Sequence, residues 1–99
     1  MSKITIDSYV LDTLMRDLVE HGKKPTAIIV YLHLWNKTQG ATRSIKLSHL
    51  KIADATGLSK SSVQSAIKML DRRKLIRSQR ATATAVPEYT VLRPWARGS

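Results

Sequence analysis

Residues 7–21, DSYVLDTLMRDLVEH, set Val10, Leu11, Leu14, Met15, Leu18 and Val19 at helical spacing, with Asp7, Asp12, Arg16, Asp17 and Glu20 on the remaining surface. This predicts a helix that Asp7 or Ser8 begins and Gly22 ends. Its apolar stripe is either internal core or half of a dimer seam. The segment precedes the basic part of the chain and is itself balanced in charge, which favours packing and self-association through Val10, Leu11, Leu14, Met15 and Leu18.

Pro25 suits a first helical position, and the chain after it is apolar at almost every position from Ala27 to Trp35, until Thr38-Gln39-Gly40 stops it. A helix apolar on nearly all sides belongs at the centre of a small domain. Arg43–Leu47, RSIKL, alternates and reads as a brief strand. Ser48 then caps a short helix through Leu50, Ile52 and Ala53, and Gly57 supplies a turn. Ser59 caps another, over 59–72, in which Val63, Ala66, Ile67 and Leu70 follow the i, i+3, i+4, i+7 pattern of a buried face. From Ile76 the pattern alternates: IRSQR, ATATAVP, EYTVL. Two β-prone runs around a small-residue connector predict an antiparallel hairpin over 76–92 with a long loop.

The expected fold is therefore mainly α with a small β-hairpin, an α+β domain. Residues 1–24 form an N-terminal helix and possible dimerisation element, 25–93 the main domain, and 94–99 a tail.

Charge adds a partner to this picture. The chain of 99 residues carries 17 Lys and Arg against 7 Asp and Glu, a formal +10. Residues 1–24 hold four basic and four acidic side chains, whereas 58–99 hold nine basic and two acidic. So lopsided a surplus attracts polyanions and points to a nucleic acid meeting the C-terminal half. Zero cysteines exclude disulfides, thiol catalysis and cysteine-bound zinc. No apolar run approaches the length of a membrane span and no secretion signal is evident, so a cytoplasmic, nucleoid-associated address is expected. Glycine-rich phosphate loops and metal-ligand spacings are lacking: His21, His33 and His49 stand far apart. Neither an enzyme nor a cofactor is expected, nor a small-molecule substrate. Trp35 fits the core; Trp95 has no evident role.

The order helix, helix, short strand, helix, turn, helix, hairpin, with the segment LSHLKIADATGLSKSSVQSAIKMLDRRKLI, resembles the bacterial winged helix-turn-helix domain of transcription regulators and plasmid replication initiators. In that resemblance Ile52-Ala53 are the paired apolar positions of the first motif helix, Thr56–Ser59 the turn and its cap, and Val63 the packed valine of the recognition helix; Leu75-Ile76 lead into the wing. Lys74 departs from the pattern, standing where such domains usually place glycine, so the helix exit is expected to be shaped differently here.

The resemblance implies binding of double-stranded DNA. A helix entering the major groove needs slim residues and base-matching donors and acceptors: Ser61, Ser62 and Ser65 are slim, and Gln64 can pair bidentately with adenine. Ser59 caps that helix, and Lys60 and Lys68 reach phosphates or a guanine edge. Ser48 and His49 open the first motif helix, flanked by Lys46, as phosphate clamps. Arg77 and Arg80, with Thr82 and Thr84 at the loop, track the backbone or enter the minor groove. The expected function is a sequence-specific transcriptional regulator, a repressor acting as a homodimer. The alternatives are a module of a plasmid replication or partition protein, and a winged protein-interaction scaffold.

Overall fold

A computed structural model describes residues 2–40 and 42–96. Arg97–Ser99, the end of the expected tail, lie outside the described residues. Among those described, the chain forms α1 (Met15–Gly22), α2 (Thr26–Thr38), α3 (His49–Thr56) and α4 (Lys60–Arg72), and strands β1 (Ile45–Lys46), β2 (Ile76–Gln79) and β3 (Glu88–Val91). No helix among them is long and apolar enough to cross a membrane.

Helix α2 is central, as its all-round apolarity requires: Ala27, Ile28, Val30, Tyr31, Leu34 and Trp35 are buried, and α1, α3, α4 and β3 all pack on it. Its polar groups are matched across the core. The Tyr31 hydroxyl donates to the Leu92 carbonyl at 2.9 Å, and Trp35 Nε1 donates to the Thr5 carbonyl at 2.8 Å. Unpaired, each of these groups would cost about 1–3 kcal/mol. They tie both ends of the chain to the central helix.

The first helix corrects one expectation. Val10, Leu14 and Leu18 are buried to 0%, 4% and 0% exposure in the same core as α2, and Met15 packs partly against it. Only Leu11 of the expected seam is exposed, at 48%. The reason is geometric: i, i+4 and i+8 form one side of a helix, and that side is turned into the single core of the domain. A π-helical turn, Val10–Leu14, leads into α1, with the Met15 N–H donating to the Val10 carbonyl.

The expected hairpin is present, and the brief strand before α3 joins it in a three-stranded antiparallel sheet of order β1-β3-β2. Ile45 faces Tyr89 across the first pair; Ile76 faces Val91 and Ser78 faces Tyr89 across the second. These residues share the face turned to the helices. Lys46, Arg77, Gln79, Glu88 and Thr90 alternate onto the other.

Helix α4 leaves as if Lys74 were glycine. Lys74 takes φ 59°, the Leu75 N–H reaches the Leu70 carbonyl at 2.9 Å, and the Lys74 N–H reaches Asp71 at 3.0 Å. This is the Schellman pattern, closed by burial of both Leu70 and Leu75. Those bonds and that contact outweigh the lysine's steric penalty. Lys74→Gly should therefore raise stability by about 0.5–1 kcal/mol, since relief of left-handed strain exceeds the added freedom of the unfolded chain. Urea denaturation midpoints check this; an unchanged or lower midpoint would mean that the strain is absent.

Candidate nucleic-acid interface

Helix α4 is fixed by its ends and its buried stripe. Ser59 Oγ accepts the Ser62 N–H at 3.1 Å, while Val63, Ala66, Ile67 and Leu70 lock the opposite side into the core. What remains outward is continuous: Lys60, Ser61, Gln64, Ser65 and Lys68 are exposed along one side. Among the described residues, Lys60, Gln64, Ser65 and Lys68 make no side-chain hydrogen bond or ion pair within the protein. The other serines differ. Ser59 donates to Ser62 Oγ at 2.9 Å and lies 3.2 Å from Ser61 Oγ, so the hydroxyls of Ser59 and half-buried Ser62 are engaged at the helix start.

Beside this stripe lies a cleft of about 320 Å³ between α3, α4 and the sheet, lined by His49, Gln64, Lys68, Ser78, Arg80 and Tyr89. Ser48 Oγ caps α3 by accepting the Lys51 N–H at 3.1 Å, which sets His49 at the first turn and into the cleft. Burial, then the charges of Arg80 and Lys60, hold the His49 imidazole below its ordinary pKa. No acidic side chain lines the cleft. The ion pairs among described residues, Asp17 with His21 and Arg73 and Asp7 with Arg93, involve none of the cleft's cationic groups.

Arg80 and Arg77 separate. Arg80 borders the cleft and its Nη1 donates to the carbonyls of Ala83 and Ala85, both at 3.4 Å, bracing the loop that exposes Thr82 and Thr84. Arg77, three residues earlier, projects from the opposite face of the sheet, because strand side chains alternate. Lys46 is also on that outer face, opposite Glu88, in an open groove of about 640 Å³ that includes Gln79 and Arg80. Lys46 and Arg77 thus lie on the outer face of the sheet, and Arg80 borders both that groove and the cleft of His49, Gln64 and Lys68.

Tyr89 and Ser78 were missed as cleft residues. The alternation of EYTVL identifies Tyr89 as inward-facing, yet nothing in the sequence says that its hydroxyl ends without a partner. Tyr89 is 0% exposed, its hydroxyl has no hydrogen-bond partner among the described residues, and burial raises its pKa, partly offset by Arg80.

His33 joins His49 in having a lowered pKa, through burial and then Lys37. Both folded-state values lie under the unfolded value of 6.5, so between the two the unfolded chain binds more protons. Their contribution is complete above that value and is lost as pH falls through the folded ones. Urea midpoints should drop between about pH 7.5 and pH 5.5, and His33→Gln with His49→Gln should flatten the drop; an equal slope in the double variant would contradict this assignment.

Comparison with protein-family models and with curated proteins finds no match to the chain.

Proposed function

We propose that the protein binds duplex DNA in a sequence-specific manner, with α4 in the major groove and the β2–β3 hairpin on the backbone or minor groove, and acts as a transcriptional repressor in the bacterial cytoplasm. One observation carries this reading: the slender polar stripe of α4 is outward, its Lys60, Gln64, Ser65 and Lys68 have no partner among the described residues, and it borders a cationic cleft lined by no acidic residue among those described. The element order, with β1 joined to the hairpin through β3, is compatible with a winged helix. Ser61 and Ser65 let the helix backbone approach, Gln64 reads adenine, and Lys60 and Lys68 meet phosphates. Repression follows from occupancy: a protein seated in the groove excludes another from the same site.

Lys68→Ala should weaken binding to selected and random duplexes alike and flatten the salt dependence by about one unit, because a phosphate contact carries no sequence information. Binding titrations at several salt concentrations measure this. A loss confined to the selected sequence would reassign Lys68 to base reading.

A second reading, a DNA-binding module of a replication or partition protein on direct repeats, gains from the burial of Val10, Leu14 and Leu18 within the monomer. Of the residues expected in a homodimer seam, Leu11 is the one exposed on the surface. Selection of bound oligonucleotides from a random pool separates the readings. Inverted half-sites about one helical turn apart, roughly 34–36 Å, support a two-fold repressor; direct repeats support the module. A pool that never enriches would overturn sequence-specific binding.

A further inference from the structure

The cleft between α3, α4 and the sheet has properties that groove reading by α4 does not require. Its polar lining is one-sided in charge: Lys68 and Arg80 are cationic, and Lys60 adds positive potential at His49. Arg80 is held only by two 3.4 Å bonds to loop carbonyls, and Lys68 has no partner among the described residues. Tyr89 lines the same cleft, and its fully buried hydroxyl has no hydrogen-bond partner among the described residues. Leaving such a hydroxyl unpaired is unfavourable, and so is crowding cations without an anion. One kind of group relieves both at once: a small oxyanion that accepts hydrogen bonds on several sides.

We propose that this cleft is a seat for a single phosphate group, held by His49, Lys68 and Arg80, with the Tyr89 hydroxyl as the donor at its floor. A metal cation is repelled by the same charges, and an apolar ligand would leave the hydroxyl and cations unpaired. Tyr89 is fully buried, so its hydroxyl meets an incoming oxygen after the lining side chains shift; exposed Lys68 and weakly tethered Arg80 are the ones free to do so. Gln64 and Lys68 lie both on the α4 stripe and on the cleft, so an occupied seat fixes how deeply and at what angle α4 enters a groove. That the phosphate belongs to a nucleic-acid backbone rests on the duplex-binding reading; the seat itself does not.

His49 reports occupancy. The charges that act on it are Arg80 and Lys60, Lys68 and Tyr89 share its cleft, and no carboxylate is among the residues that line that cleft. An anion placed among them favours the charged imidazole, so binding should raise the His49 pKa.

The test is nuclear magnetic resonance of the imidazole groups in the full chain during titration with inorganic phosphate, against chloride at equal ionic strength. A saturable shift at His49 that chloride does not reproduce, with its pKa raised and His21 unmoved, supports the seat. Tyr89→Phe should weaken phosphate binding about tenfold while unfolding at no lower urea concentration, since it deletes an unpaired buried hydroxyl. Lys68→Gln should weaken it as well, from an exposed position that does not contribute to the core. A His49 shift identical in chloride, or wild-type phosphate affinity in both variants, overturns the seat. If a duplex displaces phosphate, the occupant is a backbone phosphate; if phosphate persists under saturating duplex, that source is refuted in favour of a free anion. Duplex binding with no phosphate response overturns the seat and leaves the duplex reading standing.

Discussion

Replacing Trp95 with alanine should lower the free energy of unfolding by about 2–4 kcal/mol, although the residue lies beyond the last strand. Its ring stacks on Tyr9 with centroids 4.6 Å apart and planes 21° from parallel. Trp95 Nε1 donates to Asp7 Oδ2 at 3.0 Å, and Arg93 Nη1 reaches the same oxygen at 3.1 Å. The substitution removes a half-buried aromatic surface and a hydrogen bond to a carboxylate, and it frees the chain before α1 from the chain after β3. Its partial exposure places the effect below that of a fully buried tryptophan. Trp95→Phe should retain the stacking and lose only the bond to Asp7, at about 1.5 kcal/mol. Urea unfolding of the variants measures both; a loss under about 0.5 kcal/mol for the alanine variant would mean that the two ends are not clasped.

Gln64→Ala should cost about 1–3 kcal/mol of affinity on the preferred duplex and almost nothing on random sequence. Gln64 is exposed and its amide has no partner among the described residues, so the fold does not lean on it. Stability should be unchanged, which separates lost recognition from lost folding. Binding titrations on both duplexes decide the matter. Equal weakening on the two would assign Gln64 to the backbone, and no weakening on either would remove it from the interface.

Much of this was legible in the sequence where one periodicity dominates. The i, i+3, i+4, i+7 pattern of Val63, Ala66, Ile67 and Leu70 fixed the buried side of α4, and so its outward side. The uninterrupted apolar run after Pro25 placed α2 at the centre. Where one pattern admits two partners, tertiary packing decides: Val10, Leu14 and Leu18 would suit a seam between copies as well as they suit a core, and they are buried in the core shared with α2. Alternation along β2 was legible too, since it sends Arg77 and Gln79 to one face and Ile76 and Ser78 to the other.

Other features were beyond reach of a single sequence. The pairing of β1 with β3 joins residues far apart in the chain, and a two-residue strand carries little pattern of its own. Lys74 shows the limit of propensity: glycine is preferred at a left-handed position, yet the bonds from Leu75 and Lys74 back into α4 impose that position on lysine. The clasp of Trp95 and Arg93 on Asp7 is equally long-range, and Asp7 read from sequence alone looks like a helix cap.

Titrating the isotope-labelled chain with a selected duplex, and following every backbone amide, asks most directly whether the polar side of α4 meets DNA. Amide shifts concentrated at residues 60–68, at His49 and along the loop 80–87, with α1 unmoved, are the predicted result. Shifts centred on α1 while residues 60–68 stay still would contradict it.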